Sequence, residues 1–220
     1  MIKTDKNKDI KIMYFDLETV TLEDPELACT FWQLSGTIEI NGKAVEDFNF
    51  FVNPDHTCEY NADTLTFCGI TEDQIAAWPH HEEIYDKFIE IMDRHVNKFD
   101  KNDKMFICGY NNIKFDNGKF YEWFKLMDKI REHKYITHGS YFWTNPLDVF
   151  PFLSLVFIKY RGLFPNFKLS TVAMKLAEMD VLDKKFLDED NWHDAAFDIE
   201  ATRALMHFCI EAFGLKIFEE

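Results

Sequence analysis

Four acidic residues stand where the pattern around them is apolar. Asp16 and Glu18 follow the run Ile12-Met13-Tyr14-Phe15, and strand side chains alternate between faces, so the two carboxylates share one face. Like charges held that close repel unless something positive lies between them. The chain carries 39 acidic residues, so one D-x-E pair also fits a strand that simply ends in solvent. Asp198 is more telling. On a helix it falls in phase with Thr202, Leu205, Cys209 and Ala212, while Glu200, Arg203, His207 and Glu211 make a solvated face. A carboxylate on an apolar face must be paired, protonated or bound to a metal, because burying it alone is costly. A buried Lys or Arg partner is the plain alternative for Asp198. Asp116 repeats the pattern, in phase with Phe120, Trp123 and Met127, and its plain alternative is an N-cap.

One strand end and the inner faces of two helices can bring these four groups together. An all-oxygen set suits hard cations such as Mg²⁺ or Mn²⁺. Two such cations about 4 Å apart would clamp the attacking and leaving oxygens of an in-line phosphoryl displacement. Cysteine is absent from the set and His193 is its only nearby histidine, so a structural zinc centre does not fit.

The elements that must position these groups are legible from periodicity. Lys11–Thr19 reads as a central strand, apolar on both faces. Phe31–Ile40 and Ala44–Val52 flank Asn41-Gly42, a two-residue hairpin signal. Thr71-x-x-Gln74 is a capping box that opens a short helix, which Pro79 must end. A helix over His81–Phe99 carries an apolar stripe that includes His95, Lys104–Tyr110 is a buried strand, and a helix follows over Asp116–Arg131. Helices are expected at Val149–Tyr160, Leu169–Met179 and Ala195–Phe213, with one further short strand. This order gives an α/β fold, a mixed sheet covered by helices. Residues 1–10 read as a charged flexible tail and 11–220 as one domain.

Composition sets the outer bounds. With 47% hydrophobic residues and 23 Phe, the 220-residue chain can bury a sizeable core and is not disordered. The longest apolar run, around Val149–Ile158, is too short to span a bilayer, so no membrane partner is expected. The N-terminus MIKTDKNKDIK lacks the apolar stretch of a secretory signal. Five scattered cysteines form no C-x-x-C pair, which argues for a reducing, cytoplasmic setting. Net charge is −15, which disfavours a long basic groove for a duplex. An acidic protein can still engage a short stretch of strand where bound cations supply the positive charge.

The residues match a family pattern. MYFDLETV (13–20), CGYNNIKFDN (108–117) and HDAAFDIEAT (193–202) resemble, in order, the three motifs of the DEDDh exonucleases, the DnaQ-like branch of the ribonuclease H-like superfamily. CGITEDQI (68–75), PLDVFPFL (146–153) and KLSTVAMKLAEMDV (168–181) resemble its secondary signatures, so the resemblance runs from about residue 11 to 213. Asn111 departs from it, standing where many relatives carry His, and the aromatic stretch Tyr135–Pro146 has no counterpart.

The resemblance implies a five-stranded mixed sheet with the second strand antiparallel to the rest. It implies metal-dependent 3′→5′ hydrolysis of single-stranded DNA or RNA to nucleoside monophosphates. Asp16, Glu18, Asp116 and Asp198 would hold two Mg²⁺ or Mn²⁺ ions and His193 would be the general base, although a histidine taken alone is more often a surface residue. Leu17, Thr19, Asn112, Phe115 and Phe67 would contact substrate, and Lys114 and Lys119 are candidates for phosphate contacts. Each Phe, taken alone, is more often plain core. The implied partners are 3′ ends of single strands, with a homodimer or association with a polymerase or other nucleic-acid enzyme compatible with the family, in a bacterial or phage source. The competing reading is a non-catalytic nuclease-like module that binds nucleic acid or a partner protein. An endonuclease of the same superfamily is a third, which the H-x4-D spacing disfavours.

Overall fold

The computed structural model describes residues 9–113, 115–132, 137–192 and 194–218. Strands β1 (Lys11–Thr19), β2 (Phe31–Ile40) and β3 (Lys43–Phe51) come first, followed by helices α1 (Ala62–Cys68), α2 (Glu72–Ala76) and α3 (His81–His95). Then follow β4 (Phe106–Gly109), α4 (Asp116–Ile130), α5 (His138–Tyr141), β5 (Leu147–Asp148), α6 (Val149–Val156), α7 (Leu169–Glu178) and α8 (Ala195–Ala212). The sheet order is β3-β2-β1-β4-β5, with β2 antiparallel to both neighbours and the β1–β4 and β4–β5 pairs parallel. The expected five-stranded mixed sheet with an antiparallel second strand is therefore the observed one.

Position in this sheet explains the composition of β1. It is flanked on both edges and covered on both faces, so its residues from Ile12 to Phe15 are all buried. Alternation sends Met13, Phe15 and Leu17 into one core, with α3 and α4, and Ile12 and Tyr14 into the other, with α6, α7 and α8. The first core centres on Trp123, which meets Phe31 and Tyr85 edge-on at 5.0 and 5.1 Å. Asn41 and Gly42 both take positive φ, +50° and +79°, the turn that joins two strands in two residues. The capping box at Thr71 and Gln74 forms as expected.

Several boundaries and one face differ from expectation. Helix α3 ends at His95, because Val96 turns extended and Asp103 takes the Asn97 N–H. His95 leaves the core stripe to meet Glu46 at 2.6 Å. The aromatic stretch after residue 136 buries Tyr141 and Phe142 in the first core and bridges Met105 to Phe142, extending β4 at its start. The polar stripe of α8 is not a solvated face throughout. Arg203 and His207 reach Glu39 of β2, which is fully buried, at 2.6 and 2.7 Å. Burial pushes the Glu39 carboxyl up, but hydrogen bonds from His207 and Arg203 outweigh it and hold the group below its ordinary value.

Candidate active site

Asp16 and Glu18 lie at the C-terminal end of β1, opposite Ser35 and Gln33 of β2, and the pairing register shifts between Glu18 and Thr19. Such a bulge redirects side chains at a strand end. Asp116 is the first residue of α4 and only 8% exposed. It is not an N-cap: Phe115 holds that position, and no side chain caps the helix. Asp198 lies in the first turn of α8, which is capped by Asp194 through the amides of Ala196 and Phe197 at 2.9 and 3.2 Å. The inner faces behind the two helical aspartates are largely those expected: Phe120, Trp123 and Met127 on α4 and Thr202, Leu205 and Cys209 on α8 are buried, while Ala212, in the last turn of α8, is exposed. Both aspartates thus sit at helix N-termini, where the backbone amides favour negative charge.

The four carboxylates act on one another. Burial raises Asp16 well above its ordinary value, and the charges of Asp116, Glu18 and Asp198 raise it further. Burial, then Asp198, Asp116 and Asp194, push Glu18 up to about 7. Burial also pushes Asp116 up to about 7, with Asp148 adding to the rise and Lys119 opposing it. Three elements therefore bring mutually repelling carboxylates together at the end of β1. Among the described residues, only His80, His81 and Glu82 bring three ligand-type atoms within 4.8 Å of one another, so the acidic quartet is wider than a cage for one ion. That spread and the oxygen-only donor set suit hard cations bound by some carboxylates directly and by others through water.

The other expected residues are distributed as follows. Thr19 is 6% exposed at the end of β1, and Leu17 is turned away into the first core, so only its backbone borders the carboxylates. Asn112 is fully buried, and neither side-chain polar atom has a hydrogen-bond partner among the described residues. Phe115 is half-buried, and Phe67 is 78% exposed on α1, next to Cys68, whose thiol senses the charge of Glu18. His193 and Lys114 lie outside the described residues, as do residues 1–8 of the expected tail. Lys119 is not available for phosphate. It is 2% exposed, and its ammonium donates to the carbonyls of Thr21 and Glu23 at 3.2 and 2.5 Å and pairs with Asp24 at 3.1 Å.

Asp148 is a neighbour that sequence reading passed over. It ends β5, is 8% exposed, and accepts from the amides of Asn111 and Phe150 at 2.8 and 2.9 Å. Its signal was present as an Asp at a strand end just before a Pro-containing apolar helix, the pattern of an N-cap. Asn111, where the family pattern often has His, adopts φ +56° and gives its amide to this carboxylate.

No family model and no curated protein matches this chain by sequence. Solved structures do match. Escherichia coli exonuclease I in complex with an oligonucleotide aligns over 93% of this chain and 41% of its own, at 15% identity and a TM-score of 0.63. Exonuclease I from Methylocaldum szegediense aligns over 95% and 42%, at 17% identity and a TM-score of 0.64. The zinc-bound form of the E. coli exonuclease I–ssDNA complex aligns over 96% and 42%, at 16% identity and a TM-score of 0.64. The chain spans about two fifths of the length of these proteins. At identities this low the structural likeness shows the fold alone, and with the strand order and mixed directions above, the chain has the ribonuclease H-like fold.

Proposed function

We propose that this chain is a metal-dependent 3′→5′ exonuclease acting on single-stranded nucleic acid. The observation that carries the reading is the mutual charge repulsion of Asp16, Glu18, Asp116 and Asp198 at the end of β1. Such an arrangement is unfavourable for a fold and useful for holding cations. Divalent cations held by these four residues would supply an activated water, charge neutralisation of the scissile phosphate and stabilisation of the departing 3′ oxygen.

The remaining roles belong to the chain itself. His193, five residues before Asp198, accepts the proton of the attacking water. Water oxygen bonds to phosphorus as the bond to the penultimate 3′ oxygen breaks, which releases a nucleoside 5′-monophosphate and leaves a new 3′ hydroxyl. Thr19, the backbone at Leu17, and Asn112 orient the terminal nucleotide, while Phe115 and the exposed Phe67 offer faces for base stacking. Asp148 and Lys119 act on Asp116 in opposite directions, the first raising its pKa and the second lowering it. The Exonuclease I complexes with oligonucleotides support a single-stranded substrate for this chain.

The test is a time course on 5′-labelled single-stranded DNA and RNA with Mg²⁺, Mn²⁺ or chelator. A metal-dependent ladder shortening from the 3′ end is expected and should vanish in Asp16→Ala. Full activity in that variant, or cleavage of a circular strand, would overturn the assignment.

A further inference from the structure

Three of the chain's eight histidines, His56, His80 and His81, gather with Asp55 and Glu82 where the loop after β3 meets the start of α3. Backbone bonds fix the junction: the Asn53 amide donates to the Pro79 carbonyl at 2.8 Å, and the His81 amide to the Asn53 carbonyl at 2.9 Å. Ligand atoms of His80, His81 and Glu82 all lie within 4.8 Å of one another. A tetrahedral centre with bonds of about 2.0–2.1 Å needs ligand atoms roughly 3.3 Å apart, so side-chain rotation of about an ångström closes the set.

We propose that His80, His81 and Glu82 form a binding site for a transition-metal cation of the Zn²⁺ class, separate from the acidic quartet and independent of the nuclease reading. Two imidazoles and one carboxylate suit Zn²⁺ or Co²⁺ and not Mg²⁺, and three protein ligands leave a fourth position open. His80 reaches Glu82 Oε1 from Nδ1 at 3.8 Å and Asp55 Oδ2 from Nε2 at 3.8 Å. With Nδ1 on the metal, Asp55 takes the other ring N–H and orients the imidazole, as carboxylates behind metal-bound histidines do. His81 is 1% exposed, so its imidazole is held in a fixed, buried position beside His80. The two rings lie with centroids 4.3 Å apart, an arrangement unfavourable for two imidazolium ions. With Nδ1 of His80 on the metal, the Glu82 N–H to His80 Nδ1 hydrogen bond must yield, and it is long at 3.4 Å; Trp123 Nε1–H donates to His81 Nδ1, also at 3.4 Å. Arg131, which donates to the Glu82 backbone carbonyl, is directed with its main ion pair to Asp86.

The test is a Co²⁺ titration of the full chain followed by visible absorption, with excess Mg²⁺ present to occupy the acidic quartet. His80 and Glu82 side chains are 40% and 46% exposed, so His80→Ala and Glu82→Gln leave the core intact. One equivalent of Co²⁺ with a d–d band is expected in the wild type and in Asp16→Asn. Binding should weaken at least tenfold in His80→Ala and Glu82→Gln, and about tenfold in Asp55→Asn, as for a supporting carboxylate. No bound Co²⁺ in the wild type, or an unchanged titration in His80→Ala, overturns the proposal.

Discussion

Without cations, the protein should lose stability as pH rises, and Mg²⁺ should restore it. Asp116 is raised from an ordinary 3.8 to about 7 and Glu18 from 4.5 to about 7. In the unfolded chain both ionise near the ordinary values. Between about pH 4 and pH 7 the folded state therefore holds protons that the unfolded state has released. The stabilising contribution is complete below the ordinary values and disappears as pH climbs through the raised ones, the reverse of a salt-bridged carboxylate. For Asp116 the difference of 7 − 3.8 corresponds to about 4 kcal/mol, at roughly 1.36 kcal/mol per decade. Asp16 and Glu18 share the same repulsion with Asp116, so their effects are not independent and do not add. A net loss of about 2–4 kcal/mol is expected for the cluster, or roughly 4–16 °C in Tm for 220 residues.

The assay is thermal unfolding by circular dichroism at about pH 5.5 and about pH 8, with chelator or Mg²⁺. Chelated protein should melt lower at the higher pH, and Mg²⁺ should recover most of the difference there and little at the lower pH, where protons compete for the ligands. Asp116→Asn separates this effect from the general repulsion of a chain with net charge −15. The variant should be more stable than wild type at about pH 8 in chelator and respond less to Mg²⁺. A wild-type Tm independent of pH, or a variant that loses as much stability as wild type, would refute the reasoning.

Four further outcomes follow from named contacts. Glu39→Gln leaves Arg203 and His207 facing a buried amide and should cost about 3 kcal/mol in urea unfolding. Because the Glu39 pKa is lowered, its contribution is present above about pH 4.5 and lost as pH falls through the folded value, so this acid-linked loss should be missing from the variant. Gly36→Ala places a methyl inside the Phe48 ring and should destabilise by about 1–3 kcal/mol, with part recovered in Gly36→Ala/Phe48→Leu, as a double-mutant cycle would measure. Lys119→Met removes the ammonium from the Thr21 and Glu23 carbonyls and from Asp24, which should cost about 1–3 kcal/mol and speed proteolysis between residues 21 and 28. Thr71→Ala removes the cap of α2 and should cost about 1 kcal/mol by the same unfolding assay.

The parts of the fold most legible in the sequence are those governed by local periodicity. The span of β1 follows from its apolar run, the start of α8 from helical phase, and the Asn41-Gly42 turn from its demand for positive φ. Asp116 and Asp198 were legible for the same reason, since a charge in phase with buried residues breaks the pattern of its own helix. What escaped depends on contacts between distant elements. The Arg203–His207 stripe reads as solvated until Glu39, some 160 positions away in sequence, is placed beneath it. Glu39 sits between Ile38 and Ile40 in β2, and a charge inside such a strand was a usable hint of a buried ion pair. Lys119 was misread as a phosphate contact because nothing local shows that the loop after β1 folds back over α4 to take its three donors. Leu17 lies within the D-x-E motif, and alternation alone predicts that it faces away from both carboxylates.

These placements bear on how an acidic chain could hold a polyanion. Lys119, whose charge acts on Asp116, is committed to backbone carbonyls and Asp24, while Asp148 and Asp194 add negative charge. Side chains of the described site therefore offer a phosphate little direct attraction. On the proposed reading, positive charge arrives with the divalent cations, and strand affinity at the site must depend on their occupancy. The same repulsion that weakens the cation-free fold favours cation binding, since both reflect carboxylates held close enough to raise one another's pKa. Replacing one carboxylate by its amide should then stabilise the fold while weakening cation and strand binding together. A protein whose acidic cluster were merely a solvated surface would show neither change, because exposed carboxylates that do not raise one another's pKa carry no folding penalty to relieve.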